Sequence, residues 1–103
     1  MSSALFSLEG KNVAVVGAGS GIGRAVAVGC AAHGGRVACL DIKGDLARAT
    51  ADTITAEGGQ AEAAVLDLGN GDDVASAFEG IRDRHGSLDV LVCTPAVNVR
   101  PSR

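Results

Sequence analysis

Short apolar runs alternate with helical patterns along this chain. Val13–Val16, Val37–Leu40, Ala63–Leu66 and Val90–Val92 are brief and apolar on both faces. Parallel strands covered by helices read this way. Between them, Ile22, Ala25, Val26, Gly29, Cys30 and His33 keep a helical spacing that Gly34-Gly35 ends. Leu46, Ala49, Thr50, Thr53 and Ile54 form a second stripe, opened by Asp45 as N-cap and closed by Gly58-Gly59. Val74, Ala77, Phe78 and Ile81 form a third, with Asn70 or Asp72 to cap its start and Gly86 past its end. The strand-to-strand spacing, roughly 25 residues, falls within the range of leucine-rich repeats, but no L-x-x-L-x-L pattern recurs. Strand, turn, helix, turn explains it better, and alternating βαβ units imply a parallel sheet with right-handed crossovers.

The first strand runs into Gly17-Ala18-Gly19-Ser20-Gly21-Ile22-Gly23, a G-x-x-x-G-x-G loop that opens the first helix. Glycines there allow a tight turn and let the backbone approach a dinucleotide pyrophosphate. The helix N-terminus adds free N–H groups and a favourable dipole. A structural turn would use glycine as freely; the strand-loop-helix context favours nucleotide binding. Ile22-Gly23-Arg24 does not supply the Gly-Lys-Ser/Thr of a P-loop. Ala18 and Ile22 stand where a nucleophile elbow needs glycines. Asp41 ends the second strand 18 residues after Gly23, where an acid accepts hydrogen bonds from both adenosine ribose hydroxyls. With no arginine or lysine in the loop or directly after Asp41, NAD is expected over NADP; Lys43 is the nearest cation. Asp67 and Leu68 close the third strand beside Asp41, where Leu68 can pack on adenine and Asp67 can meet its amino group.

Composition narrows the rest. The chain has 103 residues, 47% hydrophobic and 20% charged, and its aromatics are Phe6 and Phe78. The core is therefore expected from Ala, Val, Leu, Ile and Gly. A net charge of −3 and the lack of Tyr and Trp argue against nucleic acid. Cys30, Cys39 and Cys93 are odd in number and lack a C-x-x-C spacing, which disfavours a disulfide framework or zinc site. No apolar run approaches the ~18 residues of a membrane span and no signal peptide is read, so a cytoplasmic protein is expected. His33 and His85 read as helix C-terminal residues facing the dipole, and Cys30, Cys39 and Cys93 as inert thiols.

These residues resemble the short-chain dehydrogenase/reductase family. Phe6-Ser7-Leu8-Glu9-Gly10-Lys11 is similar to its entry into the first strand. Gly17 to Gly23 resemble its glycine loop, Asp41 its NAD-selecting acid, Asp67-Leu68 its adenine pair and Leu88–Val92 its fourth strand. The resemblance implies that Gly17, Gly19, Ser20, Gly21, Ile22, Gly23, Asp41, Asp67, Leu68, Thr94 and Ala96 bind the cofactor. It also implies hydride transfer between nicotinamide and an alcohol or carbonyl in the parent enzyme. The family's catalytic serine, tyrosine and lysine follow the segment matched here, and the chain has no tyrosine. Two departures stand out. Val16 replaces the usual threonine before the first loop glycine, and Cys93-Thr94-Pro95-Ala96 replaces Asn-Asn-Ala-Gly.

The expected architecture is α/β: a partial Rossmann-type, doubly wound parallel sheet of four strands in order 3-2-1-4. Two helices lie on one face and the third on the other. Residues 1–103 then form one truncated dinucleotide-binding domain without catalytic activity of its own. The other reading is a non-catalytic nucleotide-binding or interaction module, or a remnant. A Tyr-x-x-x-Lys encoded downstream would favour the enzyme. An open edge at Val90–Val92 and an apolar side of the third helix are expected to promote self-association or pairing with a partner.

Overall fold

The computed structural model describes residues 7–94. The elements run β1 (Asn12–Val16), α1 (Gly21–Ala32), β2 (Arg36–Asp41), α2 (Gly44–Ala56), β3 (Gln60–Val65), α3 (Gly71–His85) and β4 (Val90–Cys93). The sheet order is β3-β2-β1-β4. All three pairings are parallel, with Val13 opposite Val37 and Val90, and Val37 opposite Ala61. This is the expected partial doubly wound sheet.

Side chains alternate between the two faces, as strands require. Val13, Val15, Val37 and Cys39 pack with Ala27 of α1 and Ala47, Ala51 and Ile54 of α2. Ala14, Val16, Ala38 and Leu40 face the other way, onto Ile81 and Leu66, with Val74, Ala77 and Phe78 of α3 beside them. The first two helices therefore share one face and α3 takes the other. The crossover from β3 to β4 carries the chain to the far side of β1, which leaves a crevice at the carboxyl ends of the strands.

Helix α3 starts and stops on local chemistry. The Asn70 side chain accepts a hydrogen bond from the Asp73 amide at 3.1 Å, so Asn70 is the cap. Asp72 and Asp73 lie in its first turn, Arg82, Arg84 and His85 in its last, and Gly86 follows at φ +89°. The ring of His85 does more than face the dipole. Arg36 donates to its Nδ1 at 3.0 Å, and its Nε2 pairs with Glu62 Oε1 at 2.9 Å. Arg84 also pairs with Glu62. This cluster ties α3 to β2 and β3.

Several local expectations are corrected. Strand β3 starts at Gln60, three residues earlier than the apolar run, and is partly exposed because it forms a sheet edge. Buried Leu66 lies just beyond it. The N-cap position of α2 is Lys43, which makes no side-chain cap bond, rather than Asp45, which sits in the first turn. Its core-facing residues are Ala47, Thr50, Ala51 and Ile54, so the stripe is rotated away from Leu46, Ala49 and Thr53. On α1 the buried residues are Gly23 and Ala27, and Ile22 is 75% exposed. The outward side of α3 carries Ser76, Glu79, Arg82 and Asp83, not an apolar patch. Leu91 of β4, among the described residues an edge strand, is exposed as expected.

Glu62 makes stability depend on pH. Partial burial pushes its pKa up, but hydrogen bonds from His85 and Arg84 and the charge of Arg84 outweigh this and hold it below the ordinary value of 4.5. A carboxyl with a depressed folded pKa stabilises fully above its unfolded pKa and loses that contribution as pH falls through the folded one. Glu62→Gln should therefore lower Tm above about pH 5, by the equivalent of less than about 1 kcal/mol after solvent screening. Thermal melts across pH should show this difference shrinking below the carboxylate range. A difference independent of pH would count against the ion cluster.

Candidate functional site

The site is built around the segment Val16–Gly23. Gly17 takes φ +87° and Gly21 φ +60°, both in the left-handed region that favours glycine. Gly23 serves a different purpose. A Cβ there would fall inside the van der Waals radii of the Gly17 carbonyl oxygen and Thr94 Oγ1. A Cβ on Gly19 would lie 2.6 Å from Leu46 Cβ and 2.8 Å from Asp41 Oδ2. The glycines therefore let α1, α2 and β4 close in on the loop.

The first half of the loop is fully bonded. The amides of Gly17 and Ala18 donate to the Leu40 carbonyl at 2.7 and 3.1 Å. The Gly19 amide donates to Asp41 Oδ2 at 2.9 Å. The Val16 carbonyl accepts from the Thr94 amide at 2.8 Å and the Thr94 hydroxyl at 3.0 Å. The wholly buried Thr50 hydroxyl donates to the Ala18 carbonyl at 2.9 Å.

The second half differs. Ser20 is the N-cap of α1 but its side chain makes no cap hydrogen bond, and no acid lies in the first turn. Helix α2 has Asp45 in its first turn, and α3 has both a side-chain cap and two acids. Among the described residues, α1 is thus the helix whose first-turn amides meet neither a side-chain cap nor a nearby carboxylate. The position of a Cβ on Gly21 has no atom within 4 Å. Open space before uncapped amides is where an oxyanion fits.

Beside the loop lies a cleft of about 340 Å³ whose lining includes Asp41, Ile42, Leu46, Leu66, Asp67 and Leu68. Ile42 is 61% and Leu68 47% exposed, so both present apolar surface at its mouth. The Asp41 carboxylate is held by two backbone amides, Gly19 at Oδ2 and Lys43 at Oδ1, 3.0 Å away. Asp67 lies beyond β3, and its Oδ1 accepts from the Gly69 amide at 2.9 Å.

Of the expected residues, Gly17, Ser20, Asp41, Asp67, Leu68 and Thr94 line this cleft, while Gly19, Gly21, Ile22 and Gly23 lie in the adjoining loop and first turn of α1. Ala96 lies outside the described residues. Sequence reasoning missed Ile42, Leu46 and the role of Thr50. An apolar residue directly after the strand-ending acid signals Ile42. A hydroxyl in an apolar helical stripe must find a partner, which signals Thr50.

A second cleft, about 420 Å³, opens at the opposite end of the sheet around Lys11, Arg36, Gln60 and His85. Its larger volume does not make it the better site. Arg36 already bonds Gln60, Asn12 and His85, and the loop with uncapped amides is at the other end. Among the described residues, no group of three or more His, Cys, Asp or Glu could hold a metal ion.

A parallel sheet with a glycine loop at its switch point, followed by a helix with uncapped amides, defines a nucleotide-binding α/β protein. The chain belongs to the short-chain dehydrogenase family, whose profile matches residues 11–102. It is 39% identical over 84 residues to the uncharacterized oxidoreductase YxbG of Bacillus subtilis, covering 82% of this chain and 31% of that protein. A metagenomic short-chain oxidoreductase solved in complex with NADP superposes with TM-score 0.80 at 37% identity, over 87% of this chain and 39% of that one. A 7α-hydroxysteroid dehydrogenase complexed with NADH and 7-oxo glycochenodeoxycholic acid gives 0.83 at 32% identity, over 88% and 36%. This chain therefore spans about a third of the length of these proteins. It carries the dinucleotide-binding portion of the family. No helix among the described residues is long and apolar enough to cross a membrane.

Two glycines in α1 separate packing from propensity. Gly23→Ala should destabilise by about 1–3 kcal/mol, because its methyl group has no room against Gly17 and Thr94. Gly29→Ala, with nothing within 4 Å of the new Cβ, should stabilise by about 0.5–1 kcal/mol. Denaturant unfolding of both variants checks this. Equal effects would contradict the close approach at Gly23.

Proposed function

We propose that this chain supplies the NAD-binding portion of an oxidoreductase that moves hydride between nicotinamide and an alcohol or carbonyl carbon. The observation that carries the reading is the glycine loop, bonded throughout its first half and open through Ser20, Gly21 and Ile22, with Asp41 beside it. The open amides suit a pyrophosphate, and the residues present fit a dinucleotide. When bound, the cofactor supplies the hydride chemistry at its nicotinamide ring.

The residues divide the work. Ser20, Gly21 and Ile22 present backbone N–H groups to the phosphates. Ile42 and Leu68 give an apolar slot for adenine, and the second oxygen of Asp67 is left to accept from its amino group. Asp41 keeps lone pairs for the ribose hydroxyls even though each oxygen already accepts one amide. Proton transfer to the reacting oxygen needs an acid of suitable pKa within reach. No tyrosine is present in the 103 residues. That step is assigned to residues outside this chain, in keeping with relatives about three times as long.

Asp41 also supports NAD over NADP. A 2′-phosphate would meet a carboxylate fixed by two hydrogen bonds, at short range and partly desolvated. Lys43 lines the same cleft and opposes this. Its flexible, exposed ammonium is screened by water, so the fixed carboxylate dominates.

Calorimetry on the full chain tests the proposal. NAD should bind at least about tenfold more tightly than NADP, or ~1.4 kcal/mol. Asp41→Ala should narrow that gap to about twofold and lower stability as well, since the Gly19 amide loses its partner. A preference for NADP in the unmodified chain would overturn the selectivity, and binding of neither would overturn the function.

A further inference from the structure

Two threonines reach the carbonyl side of the glycine loop, Thr94 from the wall of the cleft and Thr50 from beneath it. Thr50 is on α2, has no exposed surface and lies four residues beyond Leu46. Its hydroxyl donates to the Ala18 carbonyl at 2.9 Å. Thr94 follows β4, and its hydroxyl lies 3.0 Å from the Val16 carbonyl oxygen and 3.5 Å from that of Gly17. The two hydroxyls come from different parts of the chain and take carbonyls two residues apart, Val16 and Ala18.

The peptide group makes this arrangement directional. In a trans peptide the C=O of one residue and the N–H of the next point opposite ways in one plane. Holding the Val16 and Ala18 carbonyls therefore also aims the Gly17 and Gly19 amides. Those amides meet the Leu40 carbonyl and Asp41 Oδ2. The Val16–Gly17 and Ala18–Gly19 peptide planes are thus held at both ends, and the chain leaves the second of them directly into Ser20, Gly21 and Ile22.

We propose that Thr50 and Thr94 are paired positioning residues that clamp the carbonyl side of the glycine loop, so that its second half presents open amides to the dinucleotide. This rests on the dinucleotide reading of the site. Neither hydroxyl is a ligand for the cofactor. Each acts through the peptide it holds. Thr50 answers the demand of a buried hydroxyl for a partner, and the partner it finds is the loop. The other hydroxyls of α2 do not share the role: Thr53 and Thr55 donate to Ala49 and Ala51 of their own helix.

Valine keeps the shape of threonine and removes the hydroxyl, whereas serine keeps the hydroxyl. Thr50→Val and Thr94→Val should each weaken NAD binding to the full chain about five- to tenfold, the scale of one lost hydrogen bond with its acceptor left unpaired. Thr50→Ser and Thr94→Ser should bind within about twofold of the parent. Thr55→Val should leave affinity unchanged. The double valine variant should lose less than the product of the single losses, because both act on one loop.

Amide hydrogen exchange without cofactor supplies an independent readout. Gly19 should exchange faster in Thr50→Val, by about the same factor, with Val15 and Cys39 in the central strands unchanged. Valine variants that bind and exchange like the parent would overturn the clamp while leaving the dinucleotide reading in place. Serine variants as weak as the valines would overturn it too, by assigning the effect to the methyl. If the parent binds neither NAD nor NADP, the functional reading fails. The clamp then stands only if Gly19 exchange responds to valine and recovers with serine, and falls otherwise.

Discussion

Helix α1 can begin where it does only because Gly23 lays its first turn directly on the carbonyl of Gly17. Contact this close between a helix and the end of its preceding strand leaves no room for a Cβ, so the chain must turn within a few residues. That turn brings the helix N-terminus to the carboxyl edge of the sheet. The rest of the site is arranged around it. Leu40 and Asp41 of β2 take the loop's amides, and Thr50 of α2 and Thr94 after β4 take its carbonyls. Buried backbone groups must be paired; here the partners come from every element surrounding the loop.

This explains why so small a chain can present a defined site. The core is mostly alanine and valine, with large side chains confined to Leu40, Ile54, Leu66 and Ile81. Such a core packs helices close to the sheet, but precision at the loop comes from hydrogen bonds. Among the described residues, no buried side-chain nitrogen or oxygen lacks a partner. At the far end of the sheet, the cluster of Arg36, Glu62, Arg84 and His85 performs the matching task for α3. Its groups satisfy one another, whereas the loop leaves one run of amides open.

Much of this was legible in the sequence. The glycine spacing after an apolar strand located the loop, and Asp41 located the edge of the cleft. The alternation of strands and helices implied the parallel order and the placement of α3. What could not be read was set by tertiary context. The stripe on α2 is rotated because Ala47 and Ala51, small enough for close approach, pack on the sheet in place of Leu46 and Ala49, while Thr50 and Ile54 belong to both stripes. Strand β3 begins at Gln60 because an edge strand tolerates Gln60 and Glu62 that a central strand would not. Ile22 sits in an apolar stripe yet is exposed, since Gly23 and Ala27 face the sheet. Hydrophobic period finds a helix, but the residue that needs close contact decides which face turns inward.

The central claim is that the open half of the glycine loop, together with the Ile42–Leu68 cleft, receives the dinucleotide. Amide and methyl chemical-shift mapping of the isotope-labelled full chain, titrated with NAD, tests this most directly. The account predicts shifts at the amides of Ser20, Gly21 and Ile22 and the methyls of Ile42 and Leu68, with the opposite cleft around Lys11, Arg36 and His85 unchanged. Shifts confined to that opposite cleft, or a loop that does not respond to saturating NAD, would contradict it.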